Sequence, residues 1–121
     1  MRNWVGAGLD VCWVLVFVAI GRAAHDEAGG LAGFAGTAWP FLVGLAAGWG
    51  GLRAWRRVDA LVPTGAGVWA ATVAVGMLLR ALSGQGVAVA FTVVAALFLG
   101  AGLLGWRAAG RMAARRTAVE K

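Results

Sequence analysis

Charge is what this sequence has least of. Only 13% of its 121 residues are Asp, Glu, Lys or Arg, where a soluble domain carries about 25%. Hydrophobic residues make up 61%, and the mean hydropathy is +0.80. That balance excludes a water-soluble helical bundle, whose helices need polar stripes; the long stretches here are apolar on every face. Cysteine is nearly absent too. The single Cys12 excludes an intrachain disulfide, and Asp10-Val11 before it does not make a lipid-anchoring signal. One histidine, His25, excludes a bis-His haem within one subunit. No phosphate-binding loop, dinucleotide fingerprint, serine nucleophile motif or pair of carboxylates occurs in the apolar stretches. These absences point to a protein that is not an enzyme and holds no cofactor.

What is present is four apolar stretches, over about residues 4–21, 34–52, 65–82 and 87–106. Crossing a hydrocarbon core of about 30 Å takes about 20 helical residues, so the four use up most of the chain. The expected fold is all-α, an integral membrane four-helix bundle in one domain over residues 1–121, with a basic tail at 107–121. The N-terminus has the outline of a signal peptide, but Asp10 interrupts its apolar run, and the first span is expected to be retained. A net charge of +6 would suit nucleic acid. The basic residues sit at span ends and in the tail, however, where the bilayer's anionic lipids are the expected partner rather than nucleic acid. Arg2, Arg53, Arg56, Arg57, Arg107, Arg111, Arg115, Arg116 and Lys121 fall on one side, and Arg22 and Arg80 on the other. Lys and Arg bias orients spans, so both termini are expected to be cytoplasmic.

The two halves of the chain match at a constant offset of 57, pairing Phe34, Ala38, Phe41, Leu42, Gly48 and Trp49 with Phe91, Ala95, Phe98, Leu99, Gly105 and Trp106. Six identities in 16 positions predict an internal repeat of two helical hairpins, parallel about an axis along the membrane normal; chance in an Ala/Gly/Leu-rich chain is the alternative. Ala28-Gly29-Gly30 and Ser83-Gly84-Gln85-Gly86 supply the outer turns, and Pro63 leads into the third helix.

Asp10 lies about 9 Å into the first span, at about 1.5 Å per residue. A carboxylate at depth is costly and tends to be paired, cavity-lining or protonated, which makes Asp10 a candidate coupling or ion site with Thr72 as its neutral partner. The alternative is that the helix begins later and Asp10 caps its start. Arg22 and Arg80 close the two outward-running spans and, with His25, form a candidate outer vestibule for an anion. Snorkelling to the interface, with pairing to Asp26 or Glu27, is the structural alternative. His25, Asp26 and Glu27 are adjacent and cannot converge on one ion from a helix, so no metal is expected. Trp4, Trp49, Trp55 and Trp106 read as interfacial anchors, and Trp13, Trp39 and Trp69 as packing between helices. Pro40, beside Trp39, frees the carbonyl of Gly36 and predicts a kink. Gly44 and Gly48, and Ala101 and Gly105, offer small faces for helix packing. Arg107, Arg111 and Arg115 recur every four residues, and with Arg116 they form a basic face suited to lipid head groups or simply to solvent.

Gly21-Arg22-x2-His25, Thr37-Ala38-Trp39-Pro40-Phe41, Gly76-Met77-Leu78-Leu79-Arg80 and Gly105-Trp106-Arg107 together resemble the small bacterial membrane proteins catalogued as domain of unknown function 3054. The resemblance covers about Leu9 to Arg107 and implies a multi-pass protein of the bacterial inner membrane, with no assigned activity. It places Asp10, Arg22, His25, Trp39, Pro40 and Arg80 at characteristic positions. Ala23-Ala24 depart from it, standing where it implies a polar residue before the histidine. The expected function is that of a small transporter or channel component, oligomeric because four helices enclose little pathway. The alternative is a non-catalytic accessory or scaffold subunit that docks a membrane-protein partner through its glycine faces.

Overall fold

The computed structural model describes residues 3–24 and 30–120. Among them, every regular element is helical: α1 is Asn3–Ala24, α2 Gly30–Leu52, α3 Ala66–Leu82 and α4 Val89–Glu120. A 3-10 turn at Ala54–Arg56 and an irregular turn at Leu61–Gly65 join α2 to α3. His25, Asp26 and Glu27, with Arg2 and Lys121, lie outside the described residues.

The architecture is the expected all-α four-helix bundle. Among the described residues, three segments are long and apolar enough to cross a membrane, Asn3–Ala23, Leu61–Leu82 and Val89–Arg116. α2, expected as a fourth span, is as long at 23 residues and carries seven glycines and Pro40 within one helix. α4 does not stop at Trp106: it continues through the basic tail to Glu120 as one helix of 32 residues. At about 1.5 Å per residue that is about 48 Å, longer than a hydrocarbon core of about 30 Å.

Each helix turns one row of residues spaced three or four apart toward a common core. The rows are Asp10, Val14 and Val18 on α1; Ala38, Phe41 and Leu45 on α2; Val68, Thr72, Gly76 and Arg80 on α3; and Ala95, Leu99, Leu103 and Arg107 on α4. The aromatic centre of the core is built on Phe17. It meets Phe41 edge-on at 5.4 Å between ring centroids and lies 5.6 Å from Phe98 and 6.1 Å from Phe91.

α2 and α3 cross at close range because glycine stands at the crossing. A Cβ on Gly44 would come within 2.8 Å of the Thr72 carbonyl oxygen, and one on Gly48 within 3.0 Å of the Ala71 Cβ. Ala101 and Gly105 do not do the same for α4. They lie two residues from Leu99 and Leu103, about 200° around the helix, so both are exposed and Gly105 has no atom near its missing Cβ. Trp39 is likewise on an outer face, 41% exposed, because Ala38 and Phe41 take the inward positions of α2. The outer surface of α4 is apolar, with Val93 and Leu97 exposed, as suits a lipid-facing helix.

Candidate functional site

Two polar clusters lie along α1, one at Asp10 in its first half and one at Arg22 in its last turn. Asp10 and Arg22 are 12 residues apart, about 18 Å along the helix axis.

At the first end, Asp10 and Arg107 are both fully buried and form a salt bridge of 2.7 Å. The pair is bidentate: Arg107 NH1 donates to Asp10 Oδ1 at 2.9 Å and NH2 donates to Oδ2 at 2.7 Å. Trp106 Nε1 donates to Oδ1 and Trp49 Nε1 to Oδ2, each at 2.8 Å. The carboxylate thus accepts four hydrogen bonds, the full capacity of its two oxygens. Arg107 also donates from Nε to the Val58 carbonyl at 2.9 Å and from NH1 to the Leu103 carbonyl at 2.8 Å. Its guanidinium lies 4.3 Å from the Trp106 ring centroid. Gly65 makes room for the arginine stem, since a Cβ there would come within 2.9 Å of Arg107 Cδ. The cluster ties α1, α2, α4 and the α2–α3 connection into one knot. Among the described residues no buried side-chain nitrogen or oxygen lacks a partner.

This arrangement corrects several expectations. Arg107 does not belong to the lipid-facing basic face. Four residues after Leu103, it continues the inward row of α4, and only Arg111, Arg115 and Arg116, beyond the core, are exposed. Asp10 does not cap a late helix start, because α1 begins at Asn3. Trp49 and Trp106 are not simple interfacial anchors: their indoles point at the carboxylate. Trp4 and Trp55 remain on the surface. Thr72 is buried, but its hydroxyl donates to the Val68 carbonyl of its own helix at 2.7 Å, so it does not join Asp10.

At the other end, a cavity of about 720 Å³ opens between α1, α2, α3, α4 and the turn between α3 and α4. Arg22 and Arg80 both line it, with Thr37 and Gln85. Arg22 NH1 donates to Thr37 Oγ1 at 2.8 Å. Arg80, 9% exposed, donates from Nε to the Gly86 carbonyl and from NH1 to Gln85 Oε1, each at 3.0 Å. Its guanidinium sits 4.2 Å from the Phe91 ring centroid. Gln85 Nε2 in turn donates to the Gly36 carbonyl at 3.1 Å. That is the acceptor freed by Pro40, through which α2 runs unbroken, so the proline defect in one helix anchors the turn that holds Arg80. The two arginines are brought to one cavity; Asp10 and Thr72 do not line it.

A comparison with known families decides the chain's relationship. The family described as protein of unknown function (DUF3054) matches residues 7–110. The chain belongs to that family. No curated protein and no solved structure matches it. The matched span of this DUF3054 protein includes both polar ends, from Asp10 to Arg107 and from Arg22 to Arg80. Among the described residues there is no group of three or more His, Cys, Asp or Glu able to hold a metal ion.

Proposed function

We propose that this DUF3054 protein is a small, non-catalytic transporter or channel component of the bacterial inner membrane, both termini cytoplasmic. Its working site is the Arg22–Arg80 cavity rather than Asp10. One observation carries the reading: two guanidiniums share a cavity of about 720 Å³, within the range of about 300–1,000 Å³ usual for small-molecule sites. Two arginines in partly apolar surroundings favour an anion, which they bind through charge-assisted hydrogen bonds. The Asp10–Arg107 knot closes the opposite end, so a single chain has one open and one sealed end. Opening a path past the knot would require α1 and α4 to part, and a homo-oligomer supplies further helices to line it. Trp49 and Trp106, equivalent under the 57-residue offset, both meet the same carboxylate, which supports reading the halves as a repeat.

The test is purified protein in vesicles, measuring release of trapped radiolabelled phosphate and transbilayer movement of a fluorescent alkyl phosphate. Acceleration of either over protein-free vesicles, and its loss in Arg80→Gln, is the expected result. No acceleration of either overturns the reading.

The accessory-subunit reading keeps one observation of its own. Ala101 and Gly105 are exposed on the outside of α4, and no described atom lies within 4 Å of a Cβ placed on Gly105, whereas Gly44 and Gly48 are spent on the α2–α3 crossing. On that reading, Gly105→Leu releases a membrane-protein partner while leaving the bundle folded.

A further inference from the structure

The walls of the Arg22–Arg80 cavity divide into two parts. Its polar end is Arg22, Arg80, Thr37 and Gln85. The rest is apolar, and Phe17, Val18, Phe91 and Val94 supply the larger side chains. Phe91 joins the two parts, because one face lies under the Arg80 guanidinium at 4.2 Å while its ring also packs 6.1 Å from Phe17. Val94 stands 56% exposed on α4, so the apolar wall continues onto the lipid-facing surface of that helix. A small inorganic anion would use the polar end and leave the apolar wall unfilled. A molecule with an anionic head and a hydrocarbon tail would use both.

We infer that the cavity takes a single-chain anionic amphiphile, its phosphate or carboxylate head between Arg22 and Arg80 and its tail along Phe17, Phe91 and Val94. The inference rests on the transport reading for the choice of site and goes beyond it by naming the ligand class. The head is held by two guanidiniums already oriented by their acceptors: Thr37 Oγ1 for Arg22, and Gln85 Oε1 and the Gly86 carbonyl for Arg80. Fixing those side chains in advance removes ordering entropy from the binding step. The tail replaces lipid contacts with protein contacts, so it adds shape selectivity more than affinity. The outward continuation of the wall at Val94 gives an entry route from the bilayer rather than from water.

The experiment uses the full chain in phosphatidylcholine nanodiscs and an alkyl phosphate carrying a diazirine near its tail end. Saturable crosslinking is expected on α1 and α4 within the cavity. Unlabelled alkyl phosphate should compete, while hexadecanol and inorganic phosphate should not. Loss of one charge-assisted contact in Arg80→Gln should weaken competition about ten- to a hundredfold. Val94→Trp fills the wall without changing charge and should reduce labelling similarly, whereas Leu97→Trp on the outer face of α4 should not; this pair guards against misfolding of the arginine variant. Competition by inorganic phosphate as strong as by the alkyl phosphate overturns the amphiphile and leaves an anion site, so the transport reading stands. Labelling that never saturates, or is unmoved by Val94→Trp, identifies bulk lipid contact and also overturns the inference. Saturable binding without movement of either probe in vesicles keeps the amphiphile site and removes the transport reading.

Discussion

The two ends of the bundle handle charge in opposite ways. At one end a carboxylate and a guanidinium neutralise each other, fully buried, with two indoles filling the remaining acceptor positions. At the other, two guanidiniums line one cavity, and a threonine, a glutamine and a backbone carbonyl are among the groups that hold them. The first is a closed electrostatic unit whose obvious property is to hold helices together. The second sets two guanidiniums beside open space. Burial alone does not separate them, since Arg80 and Arg107 are both buried; what separates them is what each arginine faces.

The largest effect expected is at the knot. Asp10→Ala or Arg107→Ala strands a buried charge and should destabilise the protein by about 3–5 kcal/mol, measured by denaturant titration in detergent. The double variant Asp10→Leu/Arg107→Met should recover most of that loss; a double variant no better than the singles would show that the knot does more than balance charge. Next, Trp49→Phe and Trp106→Phe each remove one hydrogen bond to the carboxylate and should each cost about 1.5–3 kcal/mol. A large difference between them would break the equivalence that their positions on the two oxygens imply. At the cavity end, Gln85→Ala should cost only about 1 kcal/mol in stability. It should nevertheless weaken anion competition, because it releases Arg80 and uncaps the Gly36 carbonyl. The smallest effect is expected for Arg111→Gln on the exposed extension of α4, within about 0.5 kcal/mol in the same titration.

Arg107 shows why the knot was not legible as a unit. Its four-residue spacing from Arg111 and Arg115 groups it with the basic tail. The same spacing, counted backwards through Leu103, Leu99 and Ala95, puts it on the inward row. Both periodicities are present in the sequence. Choosing between them requires knowing that the α2–α3 connection reaches this level, where Val58 offers its carbonyl to Arg107. Asp10 was visible as an ionisable group at depth, but its partner lies 97 residues away. Gln85, read only as part of a turn, proved to be the group that satisfies Gly36, 49 residues earlier. Pro40 was the available signal, because an acceptor freed inside a bundle calls for a donor.

By itself the sequence determined the class of protein and the approximate positions of its helices, since both follow from local length and hydropathy. It also determined that Arg22 and Arg80 fall in the last turns of their helices. The tertiary structure alone decided that these two arginines share a cavity and that Asp10 is closed off by Arg107, Trp49 and Trp106. The reason is physical. Span formation depends on consecutive residues, whereas a hydrogen-bonded knot between α1 and α4 depends on helix rotations and heights set by packing, including the glycine-only approach of α2 to α3 at Gly44.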